Sequence, residues 1–266
     1  MLRVNEKLLP FRPGLRMADL QATVKPDADL FIVNGFPVGA AWLLKDGDVC
    51  CLIRRGEIPT AAEIEYLLAA RHTPGVHEAV KKKTVGIMGL GGLGSLVAGA
   101  LARIGVGKLI LSDYDVVEPS NLNRQQYFID QLGMKKTEAM QANLARMNPY
   151  VRVVLVDERL TEDSIPVIFK EVDGLVECFD EAAMKAAALR AALTGLPGTC
   201  YVGSSGLAGY GDNNTIRTRK LAAGVYLVGD GEAAAAPGRG LMAPRVGIAA
   251  HQQANQILQL LLAKEE

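Results

Sequence analysis

The sequence predicts an α/β fold: a largely parallel sheet with helices on both faces, preceded by a small α+β unit. Three observations carry that expectation. From Thr84 onward, apolar strand-like runs alternate with helical stretches, as in a parallel sheet covered by helices. The run Gly89-Leu90-Gly91-Gly92-Leu93-Gly94 stands directly behind the apolar stretch "TVGIM". Ahead of both, residues 1–58 hold short β-rich runs separated by turn signals.

The elements follow in order. "LRVNEKLLPF" and "DLFIVNGFPVG" are short strand-like runs with Asn turns, "GLRMADLQAT" is a short helix, and "LKDGDVCCLIRR" is an Asp-Gly turn leading into a strand. If Cys50 and Cys51 share that strand, they point to opposite faces. Residues 59–83 read as a helical linker, with Thr60 as N-cap and Glu63 completing a capping box. Lys81-Lys82-Lys83 reads as a solvated face. Residues 84–266 form the main domain. Its expected strands are "TVGIMG", "KLILSDYD", "VRVVLVD", "GLVECF" and "TCYVGSS". Its expected helices are "SLVAGALARIGV", "GMKKTEAMQANLARMN", a capped "TEDSIPVIFKEV", "DEAAMKAAALRAALTG" and the closing "VGIAAHQQANQILQLLL". The stretch around "GYGDNN" and "VGDGEAAAAPG" reads as poor in β-structure.

The 266 residues carry 29 basic and 29 acidic side chains, a net charge of zero. That balance gives no electrostatic case for a nucleic-acid or membrane partner. No apolar run reaches the roughly 18 residues that span a bilayer, and the N-terminal stretch has no signal-type apolar core. A cytoplasmic location is the expectation. Four cysteines occur without any C-x-x-C, so neither zinc nor a disulfide framework is expected.

The glycine run fits G-x-G-x-x-G in the strand–turn–helix setting that makes it informative, the signature of a Rossmann-like nucleotide site. Its glycines Gly89, Gly91, Gly92 and Gly94 allow a tight turn and close approach of backbone N–H groups to phosphate at a helix N-terminus. Asp113 ends the next strand, where an acid binds ribose hydroxyls. That alone fits NAD. The segment after it, "DYDVVEPSNLNRQQYFIDQLGMKK", supplies Asp115, Asn123, Arg124, Gln125 and Lys136, polar groups suited to a triphosphate. No P-loop motif is present.

Taken together, "GLGGLGS", "DYDVVEPSNLNRQ" and "GMKK" make residues 71–266 resemble the ThiF/MoeB group of ubiquitin-activating-type enzymes. These adenylate the C-terminal glycine of small β-grasp sulfur carriers. The resemblance implies ATP and Mg²⁺ as ligands, a ThiS-like sulfur carrier as partner, and a homodimer. It makes Asp113 the ribose acid, Arg124 and Lys136 the catalytic cations on the triphosphate, and Asp180 in "ECFDE" the acid near Mg²⁺. Lys135 is the alternative to Lys136, and Glu181 stands where the family usually has Asn. Arg71 falls where relatives carry an arginine that reaches a partner subunit's ATP site; a solvated helix-end arginine is the other reading. The closing helix suits a homodimer or an intrachain core equally.

The zinc-binding C-x-x-C pairs of many relatives are missing, and no cysteine follows Cys200. The first unit resembles a ThiS-like, ubiquitin-like β-grasp carrier. A working carrier ends in a free Gly-Gly carboxylate, whereas this chain reads Arg55-Gly56-Glu57-Ile58 and runs on. The resemblance therefore implies a carrier-like unit retained for docking or regulation, and thiamin thiazole synthesis as the setting. The alternatives are a relative that activates a tRNA-bound carboxylate, a non-catalytic nucleotide-binding scaffold and, last, an NAD-dependent oxidoreductase.

Overall fold

The first β-run of the chain turns back on itself at Asn5-Glu6, both at positive φ (44° and 65°), and the third at Asn34-Gly35 (50° and 86°). These are the left-handed two-residue turns that suit the twist of a hairpin. The computed structural model describes residues 1–72 and 75–263. The chain divides between residues 74 and 75 into two units.

In the first unit, β1 (Leu2–Val4), β2 (Lys7–Leu9), α1 (Met17–Val24), β3 (Leu30–Val33), β4 (Phe36–Val38) and β5 (Val49–Ile53) build a five-stranded sheet of order β2-β1-β5-β3-β4. β1 and β5 pair in parallel at its centre, flanked by the two hairpins. One face buries Leu2, Val4, Val33, Cys50 and Leu52 against Met17 and Leu20 of α1. Cys50 is buried and Cys51 half-buried, as strand alternation requires, and burial pushes the Cys50 thiol up to about 11.

The expected linker is shared between the units. Helix α2 (Ala61–His72) falls within the first, whereas α3 (Val76–Val80) falls within the second. Residues 73 and 74 lie outside the described residues.

The second unit is a seven-stranded sheet of order β11-β12-β10-β9-β6-β7-β8. β6 (Thr84–Met88), α4 (Gly92–Arg103), β7 (Lys108–Ser112), α5 (Lys136–Met147) and β8 (Arg152–Val156) form one wing. α6 (Ser164–Ile168), β9 (Gly174–Glu177), α7 (Ala182–Gly195) and β10 (Cys200–Ser204) start the other. β6 pairs in parallel with both β7 and β9, so the strand order reverses there. At such a switch point two connections leave in opposite directions and open a crevice at the strands' C-terminal ends. The central strands are largely apolar because both faces are covered, with Glu177 at the end of β9 the charged exception among their buried residues. α4, α5 and α8 (Ala243–Leu262) pack on one face, and α6 and α7 on the other.

Two expectations change. The supposedly β-poor stretch holds β11 (Arg217–Ala222) and β12 (Val225–Gly229), an antiparallel pair that widens the sheet beyond β10. β11 is exposed at every residue, so it lacks the hydrophobic alternation that marks a strand. The "TEDSIPVIFKEV" helix is cut to α6, closed at its start by Thr161 and Ser164, which accept each other's N–H, and ending where Phe169 turns wholly into the core. In α8, Val246, Ala249, Ala250, Ala254, Ile257 and Leu261 all join the intrachain core. Among the described residues no helix is long and apolar enough to cross a membrane.

Helix α2 has no buried residue, so its cap matters more than its packing. Thr60 N–H donates to Glu63 Oε2 at 2.8 Å, and Glu63 N–H donates to Thr60 Oγ1 at 3.3 Å. Replacing Thr60 with Ala should cost the helix about 0.5–2 kcal/mol. Amide exchange in α2 should accelerate while that of the β1–β5 ladder stays unchanged. The Thr60 backbone and hydroxyl donors hold the Glu63 carboxyl below its ordinary 4.5. The cap's contribution is therefore complete above that value and lost as pH falls through the lowered one.

Candidate functional site

The crevice at the switch point is built around the glycine run. After β6 the chain turns at Gly89 (φ +89°), whose N–H donates to Ser112 O at 2.8 Å at the end of β7. α4 starts at Gly92, and a Cβ on Gly94 would lie 1.9 Å from the Gly89 carbonyl oxygen. Only glycine lets the first turn of this helix sit so close to the strand end. The helix thus presents its first N–H groups, which have no intrahelical acceptor, to the crevice.

Asp113, just past β7, is fixed from two sides. Its Oδ2 accepts Leu90 N–H from the glycine run at 2.6 Å, and its Oδ1 accepts Asp115 N–H at 2.9 Å. Lys136, the first residue of α5, brings its Nζ to 2.7 Å from Asp115 Oδ2 and 4.0 Å from Asp113 Oδ1. The lysine side chain is 7% exposed and that of Asp113 8%. A lysine at a helix N-terminus is poorly placed for the helix dipole; the two carboxylates hold it there. Lys135 points elsewhere and pairs with Asp157. The two lysines thus meet different carboxylates, Lys136 beside the glycine run and Lys135 at Asp157.

The "SNLNRQ" segment closes the crevice on the α4 side. Gln126 N–H donates to Ser95 Oγ of α4 at 3.1 Å, and Tyr127 O–H donates to Leu90 O at 2.8 Å. Burial, then the Asp113 and Asp115 charges, push the Tyr127 phenol well above its ordinary range, so it stays a donor. Arg124 lays its stem over Gly92, with its Cγ 3.4 Å from where a Cβ would be, while Nη1 reaches Asn123 Oδ1 at 2.9 Å. Asn123 in turn donates to Leu241 O at 3.1 Å. Gln125 is buried, its Nε2 lies 3.9 Å from a Cβ position at Gly91, and its Oε1 has no partner. A buried carbonyl without a donor marks a place where a ligand or water is to be met.

Asp180 follows β9 on the other side of the glycine run. Cys178 O lies 3.0 Å and Phe179 Cδ1 3.4 Å from a Cβ position at Gly89. Asp180 is exposed and makes no hydrogen bond or ion pair among the described residues. Among the described residues there is no group of three or more metal-ligating side chains. A lone exposed carboxylate is the kind of donor that can share a Mg²⁺ ion with substrate phosphates and water. Asp180 would hold it there. Arg71 lies on α2 in the first unit, where it pairs with Glu6 at 3.6 Å.

Sequence reasoning missed the buried network beneath Asp180. Glu177, 1% exposed, accepts Lys185 Nζ at 2.9 Å, Phe179 N–H at 2.7 Å and Ser204 N–H at 3.2 Å. Gln253 of α8 donates to Glu177 O at 2.9 Å. Burial raises the Glu177 carboxyl, against the pull of Lys185. The available signal was a charged residue inside the otherwise apolar "GLVECF". Tyr127 carried no comparable signal. Cys200 lies half-buried in β10, its thiol pushed up by burial, away from the crevice-forming residues named above.

The ThiF family model matches residues 67–266, and the ThiS-like ubiquitin model matches residues 1–56. Among curated proteins, the ubiquitin-like modifier-activating enzyme 5 of Caenorhabditis elegans is 45% identical over 85 residues, 32% of this chain and 20% of that protein. The Drosophila persimilis enzyme of the same name is 49% identical over 77 residues, 29% of this chain and 20% of that protein. The chain thus spans about a fifth of the length of these relatives. Among solved structures, E. coli tRNA N6-threonylcarbamoyladenosine dehydratase, in complex with ATP, superposes with a TM-score of 0.69 at 23% identity, covering 77% of this chain and 97% of that one. E. coli MccB, with AMPCPP and MccA, gives a TM-score of 0.55 at 21% identity, covering 75% and 62%.

Tyr127→Phe tests the tie between the chain just after the "SNLNRQ" segment and the glycine run. It should leave the Leu90 carbonyl buried without its donor and cost about 1–3 kcal/mol in denaturant unfolding. Wild-type stability in this variant would mean that the run holds its shape without the phenol.

Proposed function

The chain belongs to the ThiF family, and from that premise we propose that it catalyses ATP-dependent adenylation of the C-terminal carboxylate of a separate, small ThiS-like sulfur carrier. Thiamin thiazole synthesis is the setting this reading favours. The observation that carries it is the meeting of Asp113, Asp115 and Lys136 at the glycine run, with Arg124 packed over the first turn of α4. The ThiS-like first unit supports a carrier of that kind, and its own chain runs on past Gly56, so the acceptor is another molecule. The ATP seen bound to the E. coli dehydratase, a protein of the same fold, supports the choice of nucleotide.

In this reading Asp113 receives the ribose hydroxyls, and the N–H groups around Gly91 and Gly92 receive phosphate oxygens, with Asn123 and Gln125 lining the same wall. The carrier carboxylate attacks the α-phosphorus; its oxygen forms the new P–O bond and the bond to the β-phosphate breaks, releasing pyrophosphate. The attacking group is already ionised, so no general base is required. Negative charge gathers on the departing oxygens, and Arg124 and Lys136 stabilise it from fixed positions. Mg²⁺, when bound at Asp180, supplies further charge neutralisation of the phosphates. The resemblance that makes the enzyme a homodimer also gives Arg71 a place in the partner's site.

The test is ATP–pyrophosphate exchange with a carrier ending in Gly-Gly. Asp180→Ala, Arg124→Ala and Lys136→Ala should each lower exchange by about 10²–10³. Asp180→Ala is the cleanest, because its exposed side chain supports no part of the fold. Full exchange in that variant would put the metal acid elsewhere, and no exchange in the wild type with any such carrier would favour a nucleotide-binding scaffold.

A further inference from the structure

The C-terminal ends of β10 and β12 carry a second feature, a cavity of about 750 Å³ whose lining includes Tyr210, Arg217, Arg219, Glu232, Arg239 and Arg245. We propose that this cavity binds an acidic peptide segment of the acyl partner, flanking the carboxylate that is activated. The choice of ligand rests on the adenylation reading above.

The charges are unevenly matched. Arg245 is 5% exposed and committed to the wall: it holds Asp230 Oδ2 at 2.7 Å, Thr215 Oγ1 at 3.0 Å and the carbonyl oxygens of Asp212 and Gly211 at 3.1 and 3.2 Å. Asp230 also accepts the N–H groups of Glu232 and Ala233, both at 2.8 Å. With that pair set aside, Arg217, Arg219 and Arg239 face the carboxylates of Asp212 and Glu232. The guanidinium groups of Arg219 and Arg239 have no ion-pair or hydrogen-bond partner among the described residues.

These two arginines are nevertheless placed. Arg219 Nη2 lies 2.6 Å from where a Cβ on Gly231 would be, and Arg239 Cγ lies 2.8 Å from the same position on Gly209. A side chain at either glycine would displace the arginine. Thr218 Oγ1 donates to Gln252 of α8 at 3.1 Å, so strand alternation turns Arg217 and Arg219 together to the opposite face of β11. Guanidinium groups held in a concave wall without being drawn into an ion pair are suited to bidentate capture of carboxylates.

Position selects the ligand. The cavity opens at the same sheet edge as the glycine run after β6, Asp113 after β7 and Asp180 after β9. With the ribose at Asp113, the phosphates extend from β7 across β6, and the acyl partner approaches from the side of β9, β10 and β12. One wall is shared: Gly209 N–H donates to Gly240 O at 2.8 Å beside Arg239, and Leu241 O accepts Asn123 of the nucleotide side. The volume exceeds that of a single phosphate. Beside it runs β11, exposed and at the sheet edge, whose outer backbone groups can take an extended chain.

The test uses the full chain and three probes: a glutamate-rich peptide ending in Gly-Gly, its glutamine counterpart, and inorganic pyrophosphate. Calorimetry should show the acidic peptide binding at least about tenfold more tightly than the neutral one. In the double variant R219Q/R239Q that preference should vanish while ATP affinity stays unchanged. Equal affinity for the two peptides, or an undiminished preference in the variant, overturns the proposal. So does pyrophosphate binding that depends on both arginines while the acidic peptide gains nothing from them. ATP titration of the wild type is read separately, so failure of the nucleotide reading is distinguishable from failure of this one.

Discussion

The close approach of α4 to the end of β6 is the constraint on which the rest of the crevice depends. Since the Gly89 carbonyl occupies the space of any Cβ on Gly94, the helix begins immediately after the strand. The short connection leaves Leu90 N–H free to reach the Asp113 carboxylate, and Leu90 O free to accept Tyr127. One backbone residue thereby ties together the end of β7, the glycine run and the "SNLNRQ" segment. A longer loop would supply the same hydrogen-bonding groups with more conformational entropy to lose on ligand binding.

Two ion pairs with a buried member flank this centre, and neither is well explained by stability. Lys136 sits with Asp113 and Asp115, and Lys185 with the fully buried Glu177. Removing charges from water usually costs as much as their attraction returns. Both pairs occur at the C-terminal edge of the sheet, where the crevice opens, and both fix backbone as well as side chains: Asp115 N–H through Asp113, and Phe179 N–H through Glu177. They are better understood as rigid supports for the two walls of the crevice.

Much of this was legible in the sequence because the governing forces are local. The two hairpins of the first unit follow from Asn at turn positions, the Thr60 cap from Glu63 three residues on, and the glycine run from its strand–turn–helix setting. What stayed hidden depends on tertiary contacts. β11 is polar at every position because an edge strand need not alternate, and no window of sequence distinguishes it from a loop. Lys135 and Lys136 are chemically alike; only the start of α5 turns one toward Asp115 and the other toward Asp157. Tyr127 stands between Gln126 and Phe128 with no motif around it, and its role exists only because the fold brings Leu90 beneath it.

The placement of Lys136 has a consequence for the chemistry proposed. Its ammonium already contacts a carboxylate, so a phosphate at the glycine run competes with Asp115 for it. Asp113 and Asp115 differ in what they can give up. Asp113 is nearly buried and anchored by two backbone N–H groups, whereas the Asp115 side chain is 49% exposed and returns to water at little cost. In the proposed reaction the exchange would therefore run at Asp115: the lysine would turn from a solvated carboxylate to a phosphate held in a drier site, where its charge counts for more. The pair aims the lysine, and in the proposed reaction a nucleotide would replace the weaker of its two partners.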